Sequence, residues 1–183
     1  MPTFVETGEL EAGLELILAA PKVEGVVEMV VRRPGEDERE VLDEAFLSGE
    51  EGLRGDDWLA RARRASADGV PNVHTQITLM GARTVALVAG DRSRWPLAGD
   101  QLYVDLDLSQ ENLPAGTRLR VGEATLEVSA EPHTGCAKFT ARFGSAAIRF
   151  VNSPSGRALR LRGLNARVVE PGVVRPGDAI TKL

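Results

Sequence analysis

Cysteine and histidine are almost missing from this 183-residue chain, which has one thiol, Cys136, and two imidazoles, His74 and His133. A single cysteine excludes an internal disulfide and every zinc site that needs two or more thiolates. A site made of His74, His133 and Cys136 would leave about 60 residues between its first two ligands and has no metal-ligand spacing to support it, so no zinc is expected. Long apolar runs are lacking too. The greasiest stretches, around Leu14–Ala20 and Val85–Ala89, fall far short of the ~20 residues that cross a bilayer. The opening Met1-Pro2-Thr3-Phe4-Val5-Glu6 is acidic where an export signal is basic and then apolar, which makes the cytoplasm the expected compartment. Neither a Cys-x4-Cys-x2-Cys set nor a flavin or dinucleotide fingerprint is present.

What the chain does have is apolar side chains at 43% of positions, enough for one well-buried core. Its 22 basic and 27 acidic residues leave a formal charge of −5, which opposes non-specific attraction to nucleic acid or anionic lipid. Neither is expected as a partner, and any anion site must be local. Lysine occurs only at Lys22, Lys138 and Lys182, so arginine carries most of the positive charge.

Leu10, Leu14, Ile17 and Leu18 fall on one face at helical spacing, and Pro21 ends the segment. Gly25–Val31 is β-branched and runs into the turn cluster Arg33-Pro34-Gly35-Glu36-Asp37. Glu40–Leu47 then reads as the second arm of a hairpin, with a short helix as the alternative. Gln76–Met80 is strand-like, whereas Arg83–Ala89 fits a buried strand or a helix and is closed by Gly90. Further on, Leu119 and Val121 alternate with arginines, Gly122-Glu123 turns, and Thr125–Val128 alternates again, which is a hairpin. Ala137–Phe150 breaks the β pattern, with Phe139, Phe143, Ala147 and Phe150 at helical intervals. Leu159–Arg162 alternates in strand style and Ala166–Val169 continues it. Pro171-Gly172 and Pro176-Gly177-Asp178 turn, and Ala179-Ile180 is a closing strand that could stand at an open edge. Many short strands with Gly and Pro turns, and few strong helices, make this a mainly β domain, a β-rich α+β chain closed as a barrel or sandwich.

Chemistry concentrates in His133-Thr134-Gly135-Cys136-Ala137-Lys138-Phe139, where the helical pattern begins. Unpaired N–H groups at a helix start and the nearby Lys138 both favour thiolate, which is a nucleophile and a soft metal ligand. The polar, glycine-flanked neighbourhood points to an exposed sulfur. Asp56 and Glu111 read as turn or capping residues.

Four stretches stand in a telling order: Glu51-Gly52-Leu53-Arg54-Gly55-Asp56, Gln76-Ile77-Thr78-Leu79-Met80, Leu108-Ser109-Gln110-Glu111-Asn112-Leu113 and the cysteine segment. Leu119-Arg120-Val121-Gly122, Arg142-Phe143-Gly144 and Pro171-Gly172-Val173-Val174-Arg175-Pro176-Gly177-Asp178 fit the same order. With that spacing around a single cysteine, the chain resembles MOSC domains, the module named after the C-terminal part of molybdenum cofactor sulfurase. The resemblance covers residues 45–183; residues 1–44 are an N-terminal extension or the first barrel elements of one compact domain. Two positions depart from the family pattern. Gln110 stands where members commonly carry glycine, and His133-Thr134-Gly135 replaces the proline usually found directly before the cysteine.

The resemblance implies a strongly bent, closed β-barrel with a few peripheral helices and a cleft holding the cysteine. It implies a molybdenum cofactor protein in which Cys136 is both metal ligand and catalytic residue. Such a protein would reduce N-hydroxylated or N-oxygenated small molecules with electrons from a separate reductase. Arg54, His74, Asn112, Lys138 and Arg142 are the expected cofactor-binding residues, because a pterin bearing a phosphate and a dithiolene calls for oxyanion donors and planar hydrogen-bonding groups; Asn112 could equally hold its own loop. The alternatives are a sulfur carrier charged as a Cys136 persulfide by a cysteine desulfurase, and a non-catalytic anion-binding module.

Overall fold

In the computed structural model, which describes residues 4–183, alternating side chains along the strands lay down two cores, one inside a barrel and one outside it. The chain begins with α1 (Thr7–Ala12), α2 (Leu14–Leu18), β1 (Glu24–Arg32), β2 (Glu40–Leu42), β3 (Ala45–Ser48) and β4 (Gly52–Leu53). It continues through α3 (Trp58–Ala65), β5 (Ile77–Gly81), α4 (Ala82–Ala89), β6 (Leu102–Asp105), β7 (Arg118–Val121) and β8 (Ala124–Val128). The last elements are α5 (Ala137–Asn152), α6 (Pro154–Ala158), β9 (Leu164–Glu170), β10 (Gly172–Val174) and β11 (Ala179–Lys182). Seven strands form a closed ring in the order β1-β6-β5-β9-β8-β7-β11, sealed by the antiparallel pairing of β11 with β1, where Gly25 lies opposite Ile180. β3, β4 and β10 make a separate small antiparallel sheet. Within the ring only β5 and β6 run parallel, which requires the crossover through α4 and the 3-10 turn Arg92–Ala98.

Inward-facing residues such as Ile77, Leu79, Leu102, Val104, Leu126 and Ala166 fill the barrel. Residues of opposite parity, Met80 and Tyr103 among them, face out and are covered by Leu10, Val85, Phe139 and Phe143 from the helices. A β-bulge between Val27 and Met29 changes the parity of β1. For that reason Val27 and Val30 both enter the barrel while Met29 and Val31 join the outer core. β1 lies within residues 1–44 and is a stave of the barrel. Among the described residues no helix is long and apolar enough to cross a membrane.

Four local expectations are corrected. Leu159–Arg162 is not a strand: α6 runs out into a turn with Arg160 at φ 49°, and β9 starts only at Leu164. The alternation misleads because Arg162 is buried against a carboxylate instead of facing solvent. The Glu40–Leu47 arm divides, β2 completing the hairpin on β1 and β3 leaving to pair with β10. The first helical face breaks at Gly13, so Leu10 is buried whereas Leu18 is exposed. The C-terminal strand is no open edge, because β11 is paired on both sides. Arg83–Ala89, open between strand and helix from its pattern, is helix α4.

Candidate functional site

Cys136 is the N-cap of α5, with extended backbone, and its carbonyl accepts the Thr140 N–H at 3.0 Å. Its side chain is exposed. Just before it, the Gly135 N–H donates to Asn152 Oδ1 at 3.0 Å and Asn152 Nδ2 donates to the Gly135 carbonyl at 3.3 Å. A straight 16-residue helix would be about 24 Å long, so its two ends meet only because α5 breaks at Gly144, where φ is 89°. Glycine supplies that left-handed turn without steric cost. The cysteine loop is thus pinned to the far end of its own helix.

The thiol lines a cleft of about 550 Å³ in which seven basic side chains meet three acidic ones. Its floor is the end of the 3-10 turn, where four successive carbonyls each accept a hydrogen bond from a different arginine. Pro96 accepts Arg39 Nε at 3.2 Å, Leu97 accepts Arg142 Nη1 at 2.9 Å, Ala98 accepts Arg162 Nη2 at 2.8 Å, and Gly99 accepts Arg33 Nη1 at 3.0 Å. Carbonyls at a helical C-terminus form the negative end of the dipole, so they gather cations, Pro96 doing so while it also accepts the Gly99 N–H at 3.1 Å. Two of the four guanidinium groups are closed off by buried carboxylates. Asp56 grips Arg33 through both oxygens, at 2.7 and 2.9 Å, and Asp100 holds Arg162 at 2.6 Å.

Asp100 also takes His133 Nε2 at 2.7 Å through its other oxygen. Burial alone would raise the Asp100 carboxyl, but Arg162 and His133 hold it below the ordinary carboxylate value. An ionised Asp100 makes Nε2 the protonated nitrogen of the imidazole and leaves Nδ1 as an acceptor. Burial, and then repulsion from Arg162, push the His133 pKa below its ordinary 6.5 despite the Asp100 attraction. The unfolded chain therefore takes up this proton first as pH falls. Stability from the neutral histidine is complete above about 6.5 and declines as pH drops toward the lower folded value. We expect His133→Gln to flatten that decline in urea midpoints measured between pH 7.5 and 5.5; an unchanged slope would assign the pH dependence to other groups.

Of the residues expected from sequence, Lys138 and Arg142 line the cleft with Cys136. Lys138 is engaged by Glu36 at 2.9 Å and Asp37 at 3.2 Å, and Arg142 by Asp37 at 2.6 Å. The other three are not brought there. Arg54 lies over the Phe46 ring, 4.4 Å from its centroid, beside the small sheet. His74 sits exposed in a 3-10 turn. Asn112 holds its loop, donating to the Asp107 and Lys22 carbonyls at 2.7 and 2.9 Å and accepting from Lys182. Asp56 does cap, accepting the Trp58 N–H at 3.0 Å, and grips Arg33 as well. Gln110 takes up the end of α6, its Nε2 donating to the Arg157 carbonyl at 3.1 Å and its own N–H to Ala158 at 2.9 Å. Arg33, Arg39, Asp100 and Arg162 had no motif to mark them. His133 was visible as one of two histidines and as a departure from the family pattern three positions before the cysteine.

A second cavity of about 450 Å³ lies on the other side of the cysteine loop and shares His133 and Arg162 with the cleft. Residues 72–181, which hold the cysteine loop, the floor and the α5 wall of the cleft and most of the barrel, match the model of the family described as MOSC domain, while the opposite wall, Arg33–Arg39 and α3, lies outside the match. The chain belongs to the MOSC domain family. Solved structures agree in fold. This MOSC domain is similar to the YuaD protein from Bacillus subtilis, at 21% identity and a TM-score of 0.64, covering 86% of this chain and 94% of that one. YiiM from Escherichia coli is 21% identical with a TM-score of 0.55, over 86% of this chain and 69% of its own. YiiM from Geobacillus stearothermophilus is 13% identical with a TM-score of 0.52, over 90% and 74%. No curated protein matches the chain by sequence.

Proposed function

We propose that this MOSC domain binds a molybdenum cofactor in the cleft, with the Cys136 thiolate as metal ligand. In this reading it reduces N-hydroxylated or N-oxygenated small molecules in the cytoplasm, with electrons from a separate reductase. The observation that carries the reading is an exposed thiol at the rim of a strongly basic cleft in a protein whose net charge is −5. A soft sulfur ligand suits molybdenum, and guanidinium and ammonium groups suit a phosphate. The cleft, about 550 Å³, falls within the ~300–1,000 Å³ typical of small-molecule sites. Cys136 would hold the metal, and Lys138 and Arg142 would take oxyanion groups. The cofactor supplies the redox chemistry. The protein's own groups bind and orient: the arginine-held turn keeps the floor rigid, and His133 keeps a proton at Nε2 while offering Nδ1 as an acceptor.

Exposure of Cys136 also supports a second reading, a sulfur carrier that receives a persulfide from a cysteine desulfurase. One experiment separates the two. Wild type and Cys136→Ser are purified from a host that makes the cofactor, and molybdenum content and intact mass are recorded on the same samples. Near-stoichiometric metal, lost in the variant, is the expected result. Equal molybdenum in both proteins would overturn the ligand assignment. No metal but a dithiothreitol-sensitive increment of about 32 Da would make it a sulfur carrier.

A further inference from the structure

Two of the four arginines on the Pro96–Gly99 carbonyls are neutralised inside the protein, and two are not. Arg33 and Arg162 have the buried partners Asp56 and Asp100. Arg142 meets a carboxylate only from the exposed Asp37. Arg39 has no carboxylate within ion-pair distance among the described residues. Its Nε and Nη1 are committed to the Pro96 and Glu38 carbonyls, at 3.2 and 2.5 Å, leaving Nη2 without a protein partner. Arg39 is half-buried, and burial followed by repulsion from Arg142 and Arg33 pulls its pKa below the ordinary value. Such a guanidinium can receive an anion through Nη2.

The loop opposite supplies a partial substitute. Asp37 adopts φ 60°, the left-handed region that few residues other than glycine enter. One of its oxygens, Oδ1, lies 3.2 Å from Lys138 Nζ and 2.6 Å from Arg142 Nη2, so a single atom serves two cations of α5. Arg39 receives nothing comparable. A phosphate monoester has three terminal oxygens and close to two charges, enough to serve Lys138, Arg142 and Arg39 together.

We propose that Arg39 and Arg142 form a phosphate-monoester subsite in the cysteine cleft, and that Asp37 is a built-in stand-in for the phosphate, displaced when the ligand enters. Arg142 lies on the helix that Cys136 caps, six positions after the thiol, with Lys138 two positions after it, and Arg39 reaches in from the loop before β2. The proposal rests on the cofactor reading only for whose phosphate this is, the pterin's or a phosphorylated substrate's. Its existence does not depend on the thiol.

The test is calorimetric titration of the full chain, free of cofactor, with inorganic phosphate and with glycerol phosphate at low ionic strength. Asp37→Asn is expected to tighten binding about tenfold and Arg39→Gln to weaken it about tenfold. Arg39→Lys, which keeps the charge, should recover some of the loss. Circular dichroism checks that each variant is folded. Arg118→Gln, outside the cleft, should bind phosphate as wild type does, and because binding is read without cofactor, a failed molybdenum measurement leaves this result standing and the reverse also holds. Asp37→Asn binding no tighter, or Arg39→Gln binding equally well, would overturn the proposal. Pterin content of Arg39→Gln purified from a cofactor-making host then names the source. Loss of pterin identifies the cofactor's phosphate; full pterin with a raised KM for phosphorylated substrates identifies the substrate's.

Discussion

Asp100→Ala is expected to destabilise the protein by about 3–5 kcal/mol, read from urea denaturation at neutral pH. The carboxylate is fully buried and divides its oxygens between Arg162 at 2.6 Å and His133 at 2.7 Å. Truncation leaves the Arg162 guanidinium charged in a site where the residue is only 6% exposed. Its Nε already lacks a partner there, so the Ala98 carbonyl would be its one remaining strong acceptor. An isolated buried charge costs far more than the intact pair contributes. Replacing both members, as in Asp100→Leu with Arg162→Met, should therefore recover much of the loss. If Asp100→Ala lost less than about 1 kcal/mol, the range of exposed ion pairs, the Asp100–Arg162 pair would be solvated in the native state.

Gly163→Ala is expected to cost about 2–6 kcal/mol. Gly163 joins the Arg162 turn to β9 with φ 112°, a conformation that side chains strain. A Cβ there would stand 2.1 Å from the Leu79 carbonyl oxygen of β5 and 3.2 Å from His133 Cδ2. β5 pairs with β9 at Leu79 and Leu164, so relief of the clash would have to spread these barrel strands or move the histidine. Gly177→Ala is the control, since Gly177 has φ 92° but nothing within 4 Å of its Cβ position. It carries the backbone strain alone. Equal losses in the two variants, compared by urea midpoint, would show that the close approach at Gly163 is accommodated without cost.

The strands of the second half were legible because their signals are local. Leu119, Val121 and Leu126 face one way by parity, and Gly122-Glu123 closes the hairpin that the structure shows as β7 and β8. The phenylalanine spacing of α5 was equally plain, and the polar flanks of Cys136 indicated an exposed thiol, as found. Where patterns failed, a distant contact had overridden them. Arg160 and Arg162 look like the solvent face of a strand, yet one sits in a left-handed turn and the other is buried by Asp100. Arg54 and Asn112 belong to stretches that carry the family resemblance, and a place in such a stretch did not put them in the cleft. Asn112 is instead tied to Lys22 and Lys182, near the two ends of the chain.

Sequence by itself determined the β-rich class, the hairpins, the helix that begins at Cys136 and the presence of a single thiol at its start. Each depends on side-chain periodicity or on the chemistry of a few consecutive residues. Only the tertiary structure decided which charges meet. Arg33, Arg39, Arg142 and Arg162 come from three separate stretches of chain and converge on four consecutive carbonyls of a turn that none of those stretches contains. The physical reason is that a buried or crowded charge is tolerable only beside its partner, and those partners, Asp56, Asp100 and the Pro96–Gly99 carbonyls, are brought within reach by barrel closure and the doubling back of α5.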